Sequence, residues 1–313
     1  MKVIITGGTG FVGSHLAELL TSKKNDLLLI SKSDVKKDNI KNIRSKIAHK
    51  KADVTDFKRV GKIIDDFKPD MIIHLAGEAS HSKSFERPLE DVDSNAKSTL
   101  FLLEKIRNTN PKCKFILGST FIVIGRPQKL PVDEKTPCNP TTLYGANRLA
   151  SENYCKIYHQ VYGLDTRIFR ITNSYGPREQ TIPNKNAVNF LIYKAFKKEE
   201  ITIFHKGKFF RDLIFISDVI SGIHSIIKKG KAGNLYWISS SQKTWFYQFG
   251  NILHDLTNAS VKYVVAPTYT KKVDVGNFVV DNSKLRSLGW NPKISLKKGV
   301  QLTLNYFENN IKK

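Results

Sequence analysis

The chain has 313 residues, of which 40% are hydrophobic, so it is long enough to bury a large core in one domain or in two that share a sheet. Its three cysteines form no CxxC pair, which argues against a disulfide framework and a metal site and favours a cytoplasmic protein; we expect neither a signal peptide nor a membrane span. The net charge of +23 comes from scattered lysine pairs without an arginine-rich stripe, which indicates a solvated surface rather than a nucleic-acid partner.

The first predicted element is a strand over Val3–Ile5, a β-branched run typical of a strand buried on both faces of a parallel sheet. A turn with Gly7, Gly10 and Gly13 follows, and a helix through Leu16 comes next. The first glycine permits a tight turn, the second lets a pyrophosphate approach the backbone, and the third lets the helix pack on the strand. The helix N-terminus favours an anion there. We therefore predict a dinucleotide site; the alternative is a glycine-rich turn without a ligand.

The second predicted strand, Asp26–Ile30, ends in Ser31 and Lys32. NAD-binding proteins usually carry an acidic residue there, which accepts hydrogen bonds from the adenosine ribose. A hydroxyl and a cation in its place would tolerate a 2′-phosphate, so the sequence favours NADP over NAD. The alternative is that Lys32 is one more surface lysine.

Two further strands are predicted, a weaker one around Ile47–Val54 and a second that begins at Met71 and opens into a small-residue turn at Ala76–Gly77. Asp53 lies at the end of the first and is placed to accept a hydrogen bond from an adenine amino group. A helix with Val60, Ile63, Ile64 and Phe67 at helical spacing separates the two strands and stops at Pro69, and Asp56 is the predicted cap at its N-terminus.

A helix through Asn95–Ile106 precedes a fifth strand, Lys114–Leu117, and the alternation of strands and helices implies an α/β fold with a doubly wound parallel sheet. Ligands of such sheets bind outside the carboxyl ends of the strands. One crevice is therefore expected to collect the residues at these ends, which are Thr6–Gly10, Ser31, Asp53, Ala76–Gly77 and Ser119–Thr120.

The catalytic candidates are Tyr144 and Arg148, which share one face of a predicted helix because they are four residues apart. A phenol with a pKa near 10 is a poor base at neutral pH. A cation one turn away and an oxidised nicotinamide ring would both lower that pKa. Thr120 offers a hydroxyl that could hold the reacting oxygen. Taken alone, a Tyr–Arg pair is more often surface decoration.

The second half of the chain contains predicted strands at Ile168–Thr172 and Leu213–Ile216, and the alternation weakens beyond Gly233. We predict a dinucleotide-binding domain and a smaller C-terminal α/β substrate-binding region. The first covers residues 1–170 with 212–235 returning to it, and the second covers 171–211 and 236–313.

Taken together, the motifs resemble the extended short-chain dehydrogenase/reductases, and within them the nucleotide-sugar epimerases and dehydratases. The resemblance implies a Rossmann sheet, an NAD(P) cofactor, a nucleotide-diphosphate sugar as substrate and a homodimer. Its anchors run nearly end to end: the TGGTGFVGSHL opening, Asp53–Asp56, His74–Gly77, Asn95, Asp133–Glu134, Tyr144–Ala146, Asn173–Arg178, Gly207–Asp212 and Leu288–Trp290.

The same resemblance assigns roles to single residues. Tyr144 would transfer the proton, Thr120 would be its hydroxyl partner, and Arg148 would lie over the nicotinamide ribose. Cofactor contacts are expected at Gly7, Gly10, Phe11, Val12, Gly13, Ser31, Lys32, Asp53, Val54, Leu75, Ala76, Gly77, Asn95, Tyr144 and Arg148. Substrate contacts are expected at Thr120, Asn173, Val188, Phe204 and Arg211, where the planar fork of Arg211 suits a diphosphate.

The sequence departs from the family pattern at several positions. Arg148 replaces the lysine of the YxxxK motif, which keeps the charge and changes its geometry. Phe121 and Ile122 stand where 4,6-dehydratases carry an Asp–Glu pair, which argues against elimination of water. Ser82 stands where uronic-acid epimerases carry an arginine, which argues against a uronate. Ile124 replaces a tyrosine and suggests a more apolar sugar pocket, such as one for a deoxy sugar.

The leading hypothesis is an NAD(P)-dependent nucleotide-sugar epimerase that works through a transient keto sugar, with Tyr144 as acid and base. The alternative is an NADPH-dependent reductase of a keto nucleotide sugar. A module that binds the dinucleotide without catalysis is a third possibility. The expected dimer would pair through the helix after Asn95 and the helix of Tyr144, which carries Leu149, Tyr154, Ile157 and Tyr158.

Overall fold

Seven parallel strands form the central sheet, which confirms the predicted α/β class and doubly wound sheet. The computed structural model describes residues 1–33, 37–79, 81–182, 186–265 and 274–310, and every side chain within them except those of Lys37, His81 and Ser82. The strands are, in chain order, β1 (Lys2–Thr6), β2 (Asp26–Ser31), β3 (Ala48–Lys51), β4 (Met71–His74), β5 (Lys114–Thr120), β6 (Thr166–Ile171), β7 (Asn173–Tyr175), β8 (Ile201–Ile203), β9 (Phe210–Arg211), β10 (Leu213–Phe215), β11 (Leu235–Ile238), β12 (Thr244–Trp245) and β13 (Val261–Tyr263).

The order of strands in the sheet is β11-β6-β5-β4-β1-β2-β3. The chain starts at β1 in the interior, builds outward to β3, and then returns to the other side of β1 with β4. This reversal between β1 and β4 is the topological switch point, where ligands of open α/β sheets bind. The glycine turn follows β1, so it lies at this point.

Helices cover both faces of the sheet. They are, in chain order, α1 (Phe11–Ser22), α2 (Phe57–Phe67), α3 (His81–Glu86), α4 (Pro88–Val92), α5 (Ser98–Thr109), α6 (Leu143–Tyr162), α7 (Ala187–Phe196), α8 (Ile216–Lys229), α9 (Phe246–Thr257), α10 (Ser283–Arg286) and α11 (Leu296–Asn310). Helices α1 and α8 contact each other on one face, and α5 contacts α2 and α6 on the other. Among the residues described, no helix is long and apolar enough to cross a membrane.

Two hydrophobic clusters form the core, one on each face of the sheet. Strand residues alternate between the two, because successive side chains point to opposite faces. Ile5 packs in the cluster that contains Leu16 of α1, whereas its neighbour Ile4 packs in the cluster that contains Ile64 of α2 and Leu102 of α5. Burial on both faces explains why β1 consists of apolar β-branched residues.

Most segments after β6, apart from α8 and β11, form a second, smaller region with short strand pairs. Strands β7 and β10 are parallel, β8 and β13 are parallel, and β9 and β12 are antiparallel. Helices α7, α9 and α11 contact one another beside these pairs.

Several predicted boundaries are wrong by a few residues. Strand β10 ends at Phe215, because helix α8 already begins at Ile216. Strand β3 covers only Ala48–Lys51, so the strand predicted around Ile47–Val54 ends earlier than expected. The helix predicted from Asn95 is preceded by a π-helical turn over Asp93–Lys97, which leads into α5.

The alternation of strand and helix continues past Gly233, contrary to the sequence-based expectation. Strand β11 (Leu235–Ile238) pairs with β6 as the seventh strand of the main sheet, and all four of its residues are buried. The predicted boundary at residue 235 therefore falls inside a strand. The division into two domains stays a prediction.

Candidate active site

The glycine turn after β1 is held close to the sheet and to helix α1. The Gly7 N–H donates to the carbonyl of Ile30 over 2.8 Å, and the Gly10 N–H donates to the carbonyl of Gly7 over 2.9 Å. Gly7 has a φ of 69°, which favours glycine. A Cβ at Gly13 would lie 2.3 Å from the Gly7 carbonyl oxygen, so α1 packs on the turn at a distance that only glycine allows.

The first turn of α1 faces the crevice without a side-chain cap, because its N-cap residue is Gly10. Phe11 and Val12 open the helix, and Phe11 is buried. Backbone N–H groups at such a helix start are suited to a phosphate. The geometry therefore fits the predicted pyrophosphate turn, while the contacts themselves stay predictions.

At the end of β2, the Ser31 hydroxyl is hydrogen-bonded to His49 Nε2 over 2.7 Å, and Lys32 is exposed. Sequence reasoning did not single out His49, which lies on the neighbouring strand β3. Beyond β3, one oxygen of the Asp53 carboxylate accepts hydrogen bonds from the N–H and hydroxyl of Thr55. Val54 is buried.

Lys32, Asp53, Glu78 and Asp91 line one cleft of about 400 Å³. It runs from the ends of β2 and β3 to the loop after β4 and helix α4. The structure thus brings two of the predicted adenosine contacts, Lys32 and Asp53, to one cleft.

A buried polar chain supports the loop after β4. His74 Nδ1 is hydrogen-bonded to the Thr6 hydroxyl over 2.7 Å, and its Nε2 is 3.2 Å from the Ser98 hydroxyl. The Ala76 N–H donates to the Thr6 hydroxyl over 3.2 Å. Burial, together with the charge of Arg148, lowers the pKa of His74 to about 3, so the ring is neutral. Leu75 is half-buried beside this chain.

Gly77, Asn95 and Arg148 meet next to this loop. Gly77 has a φ of 151°, and a Cβ there would lie 2.2 Å from Asn95 Oδ1 and 3.4 Å from an Arg148 guanidinium nitrogen. Asn95 is fully buried and only 4% of Arg148 is exposed. Within the part of the chain that the structure describes, Asn95 Oδ1 and Arg148 Nε have no hydrogen-bond partner. Buried polar atoms are nearly always paired, so a ligand atom is expected to complete this group.

Tyr144 and Thr120 come together although they lie on α6 and β5. The Thr120 hydroxyl is a hydrogen-bond partner of the Tyr144 phenol. Thr142 caps the N-terminus of α6 by accepting from the Gly145 N–H, which fixes the first turn that carries Tyr144. Arg148 follows one turn later on the same helix. The three predicted catalytic residues are thus within one site.

The prediction that the pKa of Tyr144 is lowered is wrong as far as the protein's own groups are concerned. Burial raises the pKa of this phenol above its ordinary value, and the charge of Arg148 and the hydrogen bond from Thr120 offset only part of that effect. The carboxylates of Asp91 and Glu78 raise the pKa further.

The predicted substrate residues other than Thr120 lie in the smaller region. Arg211 is buried, and its guanidinium donates to the Asp274 carboxylate and to the carbonyls of Phe210 and Gly276. Asn173 Nδ2 is 3.4 Å from the carbonyl of Asp212. The contact between Arg211 and a diphosphate therefore stays a prediction. Part of the N–H donors of the guanidinium are already hydrogen-bonded within the protein.

The remaining substrate positions differ in exposure. Val188 is buried in α7, whereas 40% of Phe204 is exposed in a short turn before β9. Phe121 packs its ring against Phe278, with 5.1 Å between ring centroids. Ser82 has no described side chain, so its bearing on a uronate lies outside the described residues.

Asp212, next to Arg211, is a buried carboxylate that sequence reasoning missed. It accepts hydrogen bonds from the backbone N–H groups of Ser240, Ser241 and Val280. Burial raises its pKa to about 6, although these bonds pull the pKa down. Asp212, which precedes β10, is thereby joined to residues 240–241 beyond β11 and to the segment before α10.

Asp91 and Asn147 are two further residues that sequence reasoning missed. The Asp91 carboxylate is buried and accepts a hydrogen bond from Asn147 Nδ2 over 2.7 Å. Asn147 directly precedes Arg148, and Asp91 lies four residues before Asn95. Their closeness in sequence to these two predicted site residues is the signal that could have revealed them.

The comparisons with known proteins identify the family of the chain. The family model described as GDP-mannose 4,6 dehydratase matches residues 4–303. CDP-paratose 2-epimerase of Salmonella typhi is 29% identical over 96% of this chain and 97% of its own. UDP-glucose 4-epimerase of Mycolicibacterium smegmatis is 27% identical over 99% of both chains. The crystal structure of UDP-glucose 4-epimerase from Thermotoga maritima with UDP-glucose superposes with a TM-score of 0.92 at 28% identity, covering 100% of both chains.

The family match covers far more than half of the chain and includes the glycine turn, Tyr144 and Arg148. The seven-stranded parallel sheet agrees with the fold of the structural relative. The chain therefore belongs to the GDP-mannose 4,6-dehydratase family of extended short-chain dehydrogenase/reductases, the nucleotide-sugar epimerases and dehydratases, and is an enzyme of that family.

Proposed function

We propose that the protein is an NAD(P)-dependent epimerase of a nucleotide sugar, in which Tyr144 is the acid and base. The observation that carries the proposal is the pairing of the Tyr144 phenol with the Thr120 hydroxyl, one helical turn from the buried guanidinium of Arg148. The relatives named above as epimerases, of UDP-glucose and of CDP-paratose, support the reaction class.

The residues present fit a nicotinamide dinucleotide. A Cβ at Gly7, Gly10 or Gly13 would lie within 3.0 Å of backbone atoms, and the missing side chains at these positions leave the backbone of the turn bare for a pyrophosphate. Asn95 Oδ1 and Arg148 Nε are buried and have no hydrogen-bond partner among the described residues, and ligand groups would complete them. When bound, the cofactor takes up and returns a hydride. Every other requirement of the reaction falls on the chain itself.

Those requirements are binding, orientation and proton transfer. Thr120 holds the hydroxyl of the sugar that reacts, and Tyr144 takes its proton and returns it after the keto sugar has turned over. Arg148 stabilises the phenolate form of Tyr144, because an opposite charge nearby favours the ionised form. Arg211 anchors the diphosphate at a distance from the reacting carbon, which contributes binding energy without chemistry.

For the cofactor we propose NADP, with NAD as the competing choice. The end of β2 offers Ser31 and Lys32 instead of a carboxylate, which would tolerate a 2′-phosphate. Asp53 and Glu78 line the same cleft and act against an additional negative charge. Dissociation constants for NADP and NAD, measured for the wild type and for Lys32→Ala, decide the choice. Tighter binding of NADP, weakened by this substitution, supports it; equal or tighter binding of NAD contradicts it.

The competing reaction is the reduction of a keto nucleotide sugar, and the NADP-tolerant end of β2 favours it. We would incubate the protein with UDP- and CDP-linked sugars and follow NADPH absorbance and sugar isomers together. Interconversion of isomers without net consumption of NADPH supports the epimerase. Stoichiometric consumption of NADPH by a keto sugar would replace the epimerase by the reductase.

We also propose a homodimer that pairs through α5 and α6. Leu100 on α5 and Ile157, Val161 and Tyr162 on α6 are exposed apolar side chains, with Val161 63% exposed. Leu149 and Tyr154 pack against the core instead, and Tyr158 is buried. We expect Ile157→Asp to shift the mass in light scattering from dimer to monomer, with Val265→Asp as the control. The cytoplasmic location stays a prediction from the cysteine content.

A further inference from the structure

Asp91 is a buried carboxylate at the edge of the site, and the reaction proposed above gives it no part. It lies near the end of α4, and only 2% of it is exposed. Its Oδ1 accepts a hydrogen bond from Asn95 Nδ2 over 2.9 Å, and its Oδ2 accepts one from Asn147 Nδ2 over 2.7 Å. Burying a carboxylate is costly unless both of its oxygens are bonded. The two amides meet that requirement, and the carboxylate in turn fixes both amides.

The first of these amides holds the loop after β4. Asn95 Nδ2 also donates to the carbonyl of Glu78 over 3.0 Å, and Asn95 Oδ1 lies close to Gly77. Residues 77–78 border the site, and their position therefore depends on the orientation of the Asn95 amide. Asp91 sets that orientation, because a carboxylate accepts only from the NH2 end of an amide.

The second amide holds helix α6 at the catalytic turn. Asn147 is the residue before Arg148, and Ser151 donates to the carbonyls of both Asn147 and Asn95. Asp91 thus joins α4, the π-helical turn and α6 through a short polar network. An error of about 1 Å in the position of a catalytic group can cost on the order of 10²-fold in rate.

Asp91 also lies close enough to Arg148 for their charges to interact. The charge of Arg148 acts to lower the pKa of Asp91, against the larger raising effect of burial. Both oxygens of Asp91 accept hydrogen bonds from the amides of Asn95 and Asn147. The negative charge of Asp91 therefore stabilises the positive charge of Arg148 without a hydrogen bond to the N–H donors of the guanidinium. Those donors stay directed to the site, where Arg148 Nε has no described protein partner.

We propose that Asp91 is a positioning residue of the active site, which holds Arg148 and the loop at residues 77–78 in register through the amides of Asn147 and Asn95. The proposal rests on the proposed function for the reaction that the site performs. Its geometry does not depend on which sugar or carbon reacts.

The test is a double-mutant cycle with Asp91→Asn, Arg148→Lys and the combination of both. Asp91→Asn keeps the shape of the side chain but puts an NH2 group against one of the two amides. We expect kcat to fall between about 10-fold and 100-fold, with the KM for the nucleotide sugar nearly unchanged. In the Arg148→Lys background the same change is expected to have a much smaller effect, because coupled residues are not additive.

The matched control is Asp65→Asn, which removes an exposed carboxylate of α2 that pairs with Lys105. It is expected to leave kcat and the dissociation constant of the cofactor unchanged. If Asp91→Asn does not fold, Asn147→Ser removes one of the two hydrogen bonds and is expected to act in the same direction. Circular dichroism and the melting temperature establish that each variant is folded.

The cofactor provides a readout that needs no sugar. The dissociation constant of NADPH, from its fluorescence, is measured for the four proteins of the cycle, and we expect coupling between Asp91 and Arg148 there as well. Folded Asp91→Asn with kcat and this constant within twofold of the wild type would overturn the proposal, as would additive effects in the cycle. If the four proteins show this coupling in NADPH binding but the wild type converts no nucleotide sugar, only the proposed function is contradicted.

Discussion

The phenol of Tyr144 and the hydroxyl of Thr120 are hydrogen-bonded across the boundary between helix α6 and strand β5. The two residues are far apart in the sequence, and each is placed by its own element: Thr120 by the end of a buried strand and Tyr144 by a capped helix start. This relationship carries the proposed chemistry, and the first two predictions address it.

Tyr144→Phe is expected to lower kcat by about 10²–10⁴-fold, the range that general acid–base catalysis contributes. Binding of the cofactor is expected to stay intact, because the ring still fills its place on α6. The control is Tyr162→Phe on the same helix, where the side chain is 49% exposed and outside the site. Turnover by Tyr144→Phe near the wild-type rate would remove Tyr144 from the mechanism.

Arg148→Met is expected to move the acidic limb of the pH profile of kcat to higher pH. The charge of Arg148 lowers the pKa of Tyr144, so its loss raises that pKa further above the ordinary value. The phenolate then forms only at higher pH. Arg148→Lys keeps a cation and is expected to keep the limb close to its original position. An unchanged limb in Arg148→Met would show that Arg148 does not act on Tyr144.

Gly13→Ala is expected to weaken binding of the dinucleotide by roughly tenfold or more, since overpacking costs about 1–3 kcal/mol. The added Cβ would lie 2.3 Å from the Gly7 carbonyl oxygen, so either the turn or α1 must move. Gly61→Ala in α2 is the control, because its Cβ would be 3.4 Å from the Phe101 ring. That control is expected to stabilise the protein by about 0.5–1 kcal/mol. Calorimetric titration with NADP and NAD measures the effect, and unchanged affinity would contradict the role of Gly13.

His74 is expected to make the protein less stable as the pH falls below about 6.5. Its pKa in the folded protein is about 3, so the unfolded chain binds the proton first. The stability that its neutral form contributes is complete above pH 6.5 and is lost as the pH approaches 3. Between pH 6.5 and 4.5 the loss is roughly 2–3 kcal/mol.

Urea unfolding of the wild type and His74→Gln between pH 7 and 4.5 measures this contribution. Asp212 acts in the opposite direction in the same window, because its raised pKa lets the folded protein bind the proton first. The difference between the two proteins isolates His74, since Asp212 is present in both. His254→Gln, at an exposed position of α9, is measured beside His74→Gln as the matched substitution outside the site. Equal slopes for wild type and His74→Gln would contradict the prediction.

Features with a local cause could be predicted from the sequence. The turn after β1 is such a case. The tight turn requires Gly7 and the close packing of α1 on that turn requires Gly13, and both causes lie within one short stretch of sequence. The position of Thr120 at the ligand-binding edge followed from the rule that ligands bind at the carboxyl ends of parallel strands, whereas its pairing with Tyr144 was implied only by the family resemblance. The family pattern assigned their roles, which the geometry supports.

Features that depend on distant parts of the chain could not be predicted. Asp91 and Asn147 are separated by 56 residues, and neither stands out until the fold brings α4 and α6 together. Strand β11 was missed because the sequence around it does not reveal that it completes the sheet beside β6. The sign of the Tyr144 pKa shift depends on burial, which outweighs the visible effect of Arg148.

The two outermost strands of the sheet have consequences for how copies of the protein meet. Strand β3 forms one edge of the sheet and carries His49, Lys50 and Lys51. Strand β11 forms the other edge, where the backbone N–H of Trp237 donates to the Glu134 carboxylate. Positive charge and an inserted carboxylate both oppose the addition of a strand from another molecule. Self-association that extends the sheet, the route to aggregates, is therefore discouraged at both margins, and pairing between copies is directed to the helical faces.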